Sequence, residues 1–513
     1  MKQYVIGIDV GTTIIKAALF DMNGKELCVV AGETNVMEPK FGWFEQDPVA
    51  EWGITQNVLK ELVEKSGVQK EEIKGIGLSG KMSFYYIGED KLPTRNAVVW
   101  MDNRMADVHD EWAKNGTLAE IFKKTGNWLM VSDVVMATRW IQENEPEVME
   151  KTAHICSAAN WVCVNLTGEF GANGGDLYSL VDEKRQYSDD VLKIAGIYGQ
   201  KDKLVSLQDP WEVAGKVTKK AAEETGLAEG TPVVHCGWDV VCTSAGVGAI
   251  KSGQANIILG TSGVIMNNLS EQDKTSMLGG QVISNMPGMW QQMIAPICGW
   301  NPNANWYMDN FSFEDKYRAE KEGRSVFDVF TEELSKVPPG SNGVIYSPYL
   351  FATGERAPFA NTEARGNFFG LNLHSSRYVM LRACYEGIAF SNKHCIEVYE
   401  NPVTEIFLSG GATRSELVCQ MFADVCDAII RLPGGTEFGA KGAAWNAAAA
   451  VGLFGSQEEA CEAFTQVERT YEPIKENVKI YKEIFEIYKM LPEVLAGPWS
   501  ARAKFLKDNN FEG

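Results

Sequence analysis

Two stretches of this chain carry residue types whose spacing suits phosphoryl chemistry. In His235 to Ile265, HCGWDVVCTSAGVGAIKSGQANIILGTSGVI, Asp239 follows the strand-like TPVVHCG and precedes a helical run of small residues, Val240 to Ala249. That sets its carboxylate at a strand-to-helix corner, and such corners face clefts. Gly260, Thr261, Ser262 and Gly263 sit between the β-rich ANIIL and VIM, a tight hairpin turn whose N–H groups and two hydroxyls can cradle a phosphate. Gly246, Gly248 and Gly253 between them read as a hinge. The second stretch is N-terminal: QYVIGID ends on Asp9, and Gly11-Thr12-Thr13 leads into IIKAALFD. A strand-end carboxylate beside hydroxyl and N–H donors can order Mg²⁺, and the same residues fit an ordinary hairpin with an exposed Asp equally well. A carboxylate on one side of a hinge and a phosphate loop on the other predict a two-lobed enzyme closing on a nucleotide and a second substrate.

The elements that must hold these residues can be read in order. Asp47-Pro48 starts an amphipathic helix, with Asp as N-cap and Pro at the first helical position. The following EEIKGIGLSGKMSFYYIGED contains Gly75, Gly77 and Gly80 in GxGxxG spacing, and Gly75 with Gly80-Lys81 nearly completes a P-loop. Both motifs need a helix next, and SFYYIG is β-branched and aromatic, so no pyrophosphate site is expected there. NAVVWMDNRMAD reads as a strand ending at Trp100, with Asp102 and Arg104 in the loop after it. There a carboxylate and an aromatic could wall a polyol, or form a capped helix with a surface Asp–Arg pair. EIFLSGGATRSELVCQMFADVCD reads as strand, Gly-Gly turn and helix, a geometry in which a ligand can approach backbone at a helix start. The small residues of GGTEFGAKGAAWNAAAAVGLF predict a closely packed buried helix, and the last fifty or so residues a helical, charged surface appendage.

Composition narrows the class. At 513 residues the chain implies two large domains, and the strand-turn-strand plan of residues 3 to 20 resembles that of 255 to 266. The formal charge of −20, from 48 basic and 68 acidic residues, argues against nucleic-acid or anionic-membrane partners, though not against a small nucleotide held by Mg²⁺ and helix N-termini. Eleven scattered cysteines without a CxxC pair indicate reduced thiols rather than a zinc site or disulfide framework. No apolar run of membrane-spanning length occurs, so a cytoplasmic location is expected.

DVGTTIIKA, GWFEQDP, SGKM, VVWMDNR, GWDVV, GTSGVI, GERAPF, ARGNFFGL, RACYEGIAF, LSGGATRSELVCQMFADV and GAKGAA occur in the order in which the FGGY carbohydrate kinases carry them. From Met1 to about Phe454 the chain resembles that family, leaning to its xylulose, L-xylulose and erythritol kinase branch. The resemblance implies an α/β architecture of two RNase H-like (actin-like ATPase) domains with a central cleft, divided as 1–250, 251–455 and a helical extension, 456–513. It implies ATP and Mg²⁺, with Asp239 as catalytic base and Asp9 near the metal. Thr12, Thr13 and Lys16 fall on the first phosphate hairpin, Gly260, Thr261 and Ser262 on the second. Asn305, Gly410, Gly411 and Ser415 fall on further nucleotide contacts; Met82, Ser83, Trp100, Asp102 and Val240 fall on the sugar set.

Departures from the family pattern concentrate in that set. Met82-Ser83 replaces Met-His, Val240 replaces Asn after the catalytic Asp, and Ala172-Asn173-Gly174-Gly175 stands where a Ser-Asp/Asn-Ala-Ser element is expected. Ala137 and Val379 depart from the two signatures, and the Arg-Glu of glycerol kinases is absent at 82 and 83. The implied reaction is transfer of the γ-phosphoryl of ATP to a ketopentose such as xylulose or L-xylulose. The alternatives are an erythritol- or glycerol-type polyol kinase, or an actin-like switch ATPase without a sugar. A homodimer is left open. Two expectations concern side chains: Asp239, at a helix N-terminus, should have a low pKa, and buried Asp102 should select a sugar by demanding its hydroxyl donors.

Overall fold

The computed structural model describes residues 2–173, 176–260, 263–272, 280–398 and 400–511. The chain forms two compact units whose segments interleave: residues 1–252, 268–292 and 434–466 make the first, and 253–267, 293–433 and 467–513 the second. The division expected from the sequence is linear, whereas these compact units are built from discontinuous segments. Residues 268–292 and 434–466 are far along the chain, yet they complete the first unit.

The first unit is organised on a six-stranded sheet in the order 213–216, 232–238, 73–80, 4–10, 14–21, 26–33. Tyr4–Val10 pairs antiparallel with Ile14–Asp21 and parallel with Ile73–Gly80, which pairs parallel with Pro232–Trp238. Val5, Ile6 and Ile8 are buried on both faces, as a near-continuous apolar run in a central parallel strand requires. Asp47 caps the helix Pro48–Ser66, its side chain accepting from Val49 N at 2.8 Å.

Glycines allow helix Phe438–Ala450 to lie directly on this sheet and on helix Asp239–Val247. A Cβ on Gly77 would fall 2.0 Å from Ala443 O, and one on Gly246 would fall 1.9 Å from Phe438 O. Gly246, expected in a hinge, is thus a packing residue inside a helix. Gly77 serves helix–sheet approach rather than phosphate binding, and the strand that holds it is followed by another strand, Ser83–Ile87. The buried small-residue helix anticipated from GAKGAAWNAAAA is Phe438–Ala450 itself, with Ala443, Ala444, Trp445 and Ala447 fully buried.

The second unit repeats the plan. Gln254–Leu259 pairs antiparallel with Gly263–Leu269 and parallel with Glu405–Ser409, which pairs parallel with Ile429–Pro433; Val467–Tyr471 then adds antiparallel to Ile429–Pro433. The 34-residue helix Lys475–Asp508 is not the appendage expected from its charge. Tyr481, Phe485 and Tyr488, at helical spacing, enter the main apolar core of this unit. Buried Glu386 receives Tyr481 Oη at 2.8 Å, Arg382 Nε at 2.9 Å and Ser341 Oγ at 2.7 Å, so the RACYEG segment anchors the C-terminal helix. The outer charges masked an aromatic stripe on its inner face.

Candidate active site

Three strand ends of the first unit converge chemically. Asp9 and Ser79 are register partners in the parallel pair, and Ser79 Oγ donates to Asp9 Oδ1 at 3.2 Å. The next strand aligns Trp238 with Gly80 after an irregularity between His235 and Gly237, so Asp239 emerges at the same sheet end as the first helical residue. Its Oδ1 accepts from Val240 N at 2.7 Å. Burial raises the Asp239 pKa well above the ordinary carboxylate range, and the neighbouring Asp9 carboxylate adds to the rise; Val240 N–H and Lys81 act the other way. The expectation of a low pKa is corrected: one helix-terminal N–H does not offset burial beside a second acid. Asp9 is also raised, first by burial, against the Ser79 hydrogen bond and the Lys16 charge. A carboxyl raised by burial and by a neighbouring acid, as Asp239 is, is a proton acceptor better matched to neutral pH than an isolated Asp.

Behind them lies an ion pair that the sequence did not disclose. Lys81, 2% exposed, donates its ammonium to Glu51, and Tyr85 Oη donates to the other Glu51 oxygen. Burial pulls the Lys81 pKa down while the Glu51 charge holds it up. The Gly-Lys that imitates a P-loop is therefore a buried cation whose field reaches Asp239. Its available signal was position: a lysine directly after the largely buried strand Ile73–Gly80 is itself buried and must be paired.

The residues assigned to the sugar fall into two groups. Met82 and Ser83 are buried with Lys81, Ser157, Asp176 and Trp238 around a narrow pocket of about 170 Å³; Trp238 stacks on Tyr178 at 5.5 Å. Val240 is half-buried beside Asp239. Trp100 is 45% exposed and gives Nε1–H to Thr12 Oγ1 at 3.1 Å, placing a residue of the sugar set on the first phosphate turn. Asp102 differs from expectation. Its oxygens accept from Phe44 N at 2.7 Å, Arg104 N at 2.9 Å, Arg104 Nε at 3.0 Å and Arg104 Nη2 at 2.8 Å. Such a carboxylate is satisfied and does not have to draw donors from a substrate; an Asp–Arg pair forms, buried rather than on the surface, and the helix Ala106–Asn115 has no side-chain cap from it. Arg104 also bonds Glu45 at 2.8 Å and lies over the Trp43 and Trp140 rings.

On the first hairpin, Thr12 O accepts from Gln46 Nε2 at 2.9 Å and from Thr34 Oγ1 at 2.6 Å, which fixes the turn, while Thr13 is exposed. Lys16 is in an ion pair with Glu437 at 2.9 Å, a partner 421 residues away that no sequence motif announced. In the second unit, Gly260 and Gly263 flank the turn of the second hairpin, and Thr261 and Ser262 lie outside the described residues. Gly410 has φ +106 and approaches the backbone so closely that a Cβ would fall 2.3 Å from Leu259 O. Gly411 faces open space, and half-buried Ser415 stands at the N-cap of Glu416–Cys426 without capping it. Asn305 is exposed on helix Trp300–Phe311. Glu355 of GERAPF ties its loop to a distant segment, accepting from Ile297 N at 2.6 Å and Cys298 N at 3.1 Å.

Among the described residues no group of three or more His, Cys, Asp or Glu could hold a metal, and all eleven cysteines are free. Mg²⁺ commonly takes only one or two protein carboxylates, the rest of its shell being water and phosphate. Asp9 fits that need, since a cation would relieve the carboxyl pair. No helix of the described residues is long and apolar enough to cross a membrane.

Residues 4–246 match the N-terminal domain of the FGGY family of carbohydrate kinases, and residues 255–451 match its C-terminal domain. The xylulose kinase of Bacillus subtilis (strain 168) is 30% identical over 501 residues, covering 95% of this chain and 96% of that protein. The L-xylulose/3-keto-L-gulonate kinase of Escherichia coli (strain K12) is 27% identical over 517 residues, covering 98% and 99%. The crystal structure of ligand-bound xylulose kinase from Lactobacillus acidophilus superposes with a TM-score of 0.87 at 24% identity, covering 97% and 99%; at that identity the likeness speaks for the fold.

Proposed function

This chain belongs to the FGGY family of carbohydrate kinases, and we propose that Asp239 is the base with which it transfers the γ-phosphoryl group of ATP to a hydroxyl of a small ketose of the xylulose or L-xylulose kind. The observation that carries the reading is the convergence of Asp9, Ser79 and Asp239 at one end of the first sheet. The relatives named for xylulose and L-xylulose support the ketopentose.

Asp239 accepts the proton of the sugar hydroxyl as that oxygen forms its bond to the γ-phosphorus and the bond from phosphorus to the ADP oxygen breaks. In a loose transition state the proton leaves late, so Asp239 first orients the hydroxyl and then takes its proton. Val240 N–H and the turn into the helix fix the carboxylate. Asp9, oriented by Ser79, is placed to hold Mg²⁺, which when bound offsets phosphate charge. Thr12, Thr13 and Lys16 of the first unit offer donors for phosphate, and Gly411 of the second offers open backbone that suits a nucleoside.

The test is ATP turnover measured with and without D-xylulose, L-xylulose, D-ribulose, erythritol and glycerol. The proposal expects little turnover without an acceptor and a phosphorylated ketopentose as the best product. Rapid ATP hydrolysis indifferent to every acceptor would instead identify a switch ATPase, and a preference for erythritol or glycerol would move the substrate to the polyols.

A further inference from the structure

Resting on that reading, we infer that the sugar pocket of the first unit is built for a neutral polyhydroxy substrate and against sugar acids, and that Asp176 is the residue that selects. Neither Asp176 nor its partners were legible as a motif; of the element expected beside it, Ala172-Asn173-Gly174-Gly175, the two glycines lie outside the described residues.

Asp176 is 7% exposed. One oxygen, Oδ2, lies 2.9 Å from His235 Nε2 and accepts the hydroxyl of Ser157. The other, Oδ1, is buried with no hydrogen-bond partner among the described residues, and so is Ser83 Oγ. Both residues line the same pocket, with Met82 and Trp238 completing its wall. Leaving a buried acceptor unmade is costly, and a carboxylate oxygen can be satisfied only by a donor. A sugar hydroxyl is such a donor, while Ser83 can give or accept.

The charge around this wall decides the substrate class. Asp9 from the first strand, Asp239 from the strand-to-helix corner, Glu51 from the capped helix and Asp176 itself are acids, and His235 is already turned to Asp176. The cation within the pocket lining, Lys81, is paired with Glu51. Arg104 is paired with Asp102 and Glu45, and Lys16 with Glu437. A substrate carboxylate entering here would meet Asp176 with no unpaired cation among the described pocket-lining residues. In a buried site, like charges repel far more strongly than in water. A neutral ketose or polyol meets no such repulsion. At about 170 Å³ the pocket is narrow, so the ligand has to displace side chains, for which flexible Met82 is suited.

The experiment is calorimetric titration of the full chain with D-xylulose, L-xylulose, erythritol and D-gluconate, for wild type, Asp176→Asn and Ser83→Ala, with thermal unfolding to confirm each fold. Wild type is expected to bind at least one neutral compound ten times or more tighter than gluconate. Asp176→Asn should weaken that binding by about ten- to a hundredfold, the range of a hydrogen bond to a charged group, and narrow the neutral-to-gluconate ratio. Its affinity for ATP should stay within twofold. Ser83→Ala should weaken the neutral compound alone, by less. The inference is overturned if gluconate binds wild type as tightly as the neutral compounds, if no neutral compound binds, or if folded Asp176→Asn keeps the wild-type ratio. Because binding is read without turnover, selective binding of a neutral sugar by a protein that transfers no phosphoryl group would sink the kinase reading and leave this one, while efficient transfer to gluconate would do the reverse.

Discussion

The two units share one sheet plan and put different chemistry on it. In each, an antiparallel hairpin leads a sheet whose inner strand pairs in parallel with a strand that carries a serine at or next to its end. In the first unit Asp9 is opposite Ser79; in the second Ile258 is opposite Ser409. The first sheet therefore ends in paired carboxyls with raised pKa values, backed by a buried Lys81–Glu51 pair. The second ends in glycine, with Gly410 in the left-handed region and Gly411 bare. Equivalent positions thus carry carboxyls in one unit and bare glycine backbone in the other; the proposed function gives the first to proton and cation chemistry and the second to the nucleotide. A repeated scaffold fixes where ligands approach, and the side chains at strand ends fix what happens there.

This division of labour can be broken from either side. The largest effect is expected for Asp239→Asn, which should lower kcat by about two to four orders of magnitude with ATP affinity retained; titration with ATP and steady-state kinetics check it, and near-wild-type turnover would remove Asp239 from the reaction. Next comes Lys81→Met, which strands Glu51. Breaking one side of a buried pair costs about 3–5 kcal/mol, readable by chemical denaturation, and the double variant with Glu51→Leu should recover part of that loss. No recovery would mean that the two residues act separately.

In the second unit, Gly411→Leu projects into open space, so the unfolding midpoint should hold while KM for ATP rises about tenfold, worth about 1.4 kcal/mol; a change confined to the sugar KM would contradict the assignment. The smallest effect is a displacement along the pH axis. Asp239 works deprotonated and its pKa is raised, so kcat/KM should climb with pH through a limb above the ordinary carboxylate range. Asp9 contributes to that rise, so the residual activity of Asp9→Asn should show the limb at lower pH. A limb that moves upward, or not at all, would uncouple the two carboxyls.

Much of this was legible because the relevant signals are local. A strand ending on Asp9, a turn of Gly11-Thr12-Thr13, the Asp47-Pro48 cap and the corner before Asp239 depend on residues a few positions apart, and each formed where the sequence places it. The order of the motifs identifies the family, and the bareness of the Gly-Gly turn follows from residue type alone. What only the tertiary structure decided depends on distance through space. Asp102 is a satisfied partner of Arg104 because the Phe44 amide comes to it across 58 residues. Asp239 is raised rather than lowered because folding withdraws it partly from water near Asp9, and electrostatic energy depends on burial and separation, which one-dimensional spacing does not encode. The unpaired oxygen of Asp176, the Lys16–Glu437 pair and the entry of the C-terminal helix into the core belong to the same class. The sequence names which groups can ionise or donate; the packing of distant segments determines which are already paired and which remain for a ligand.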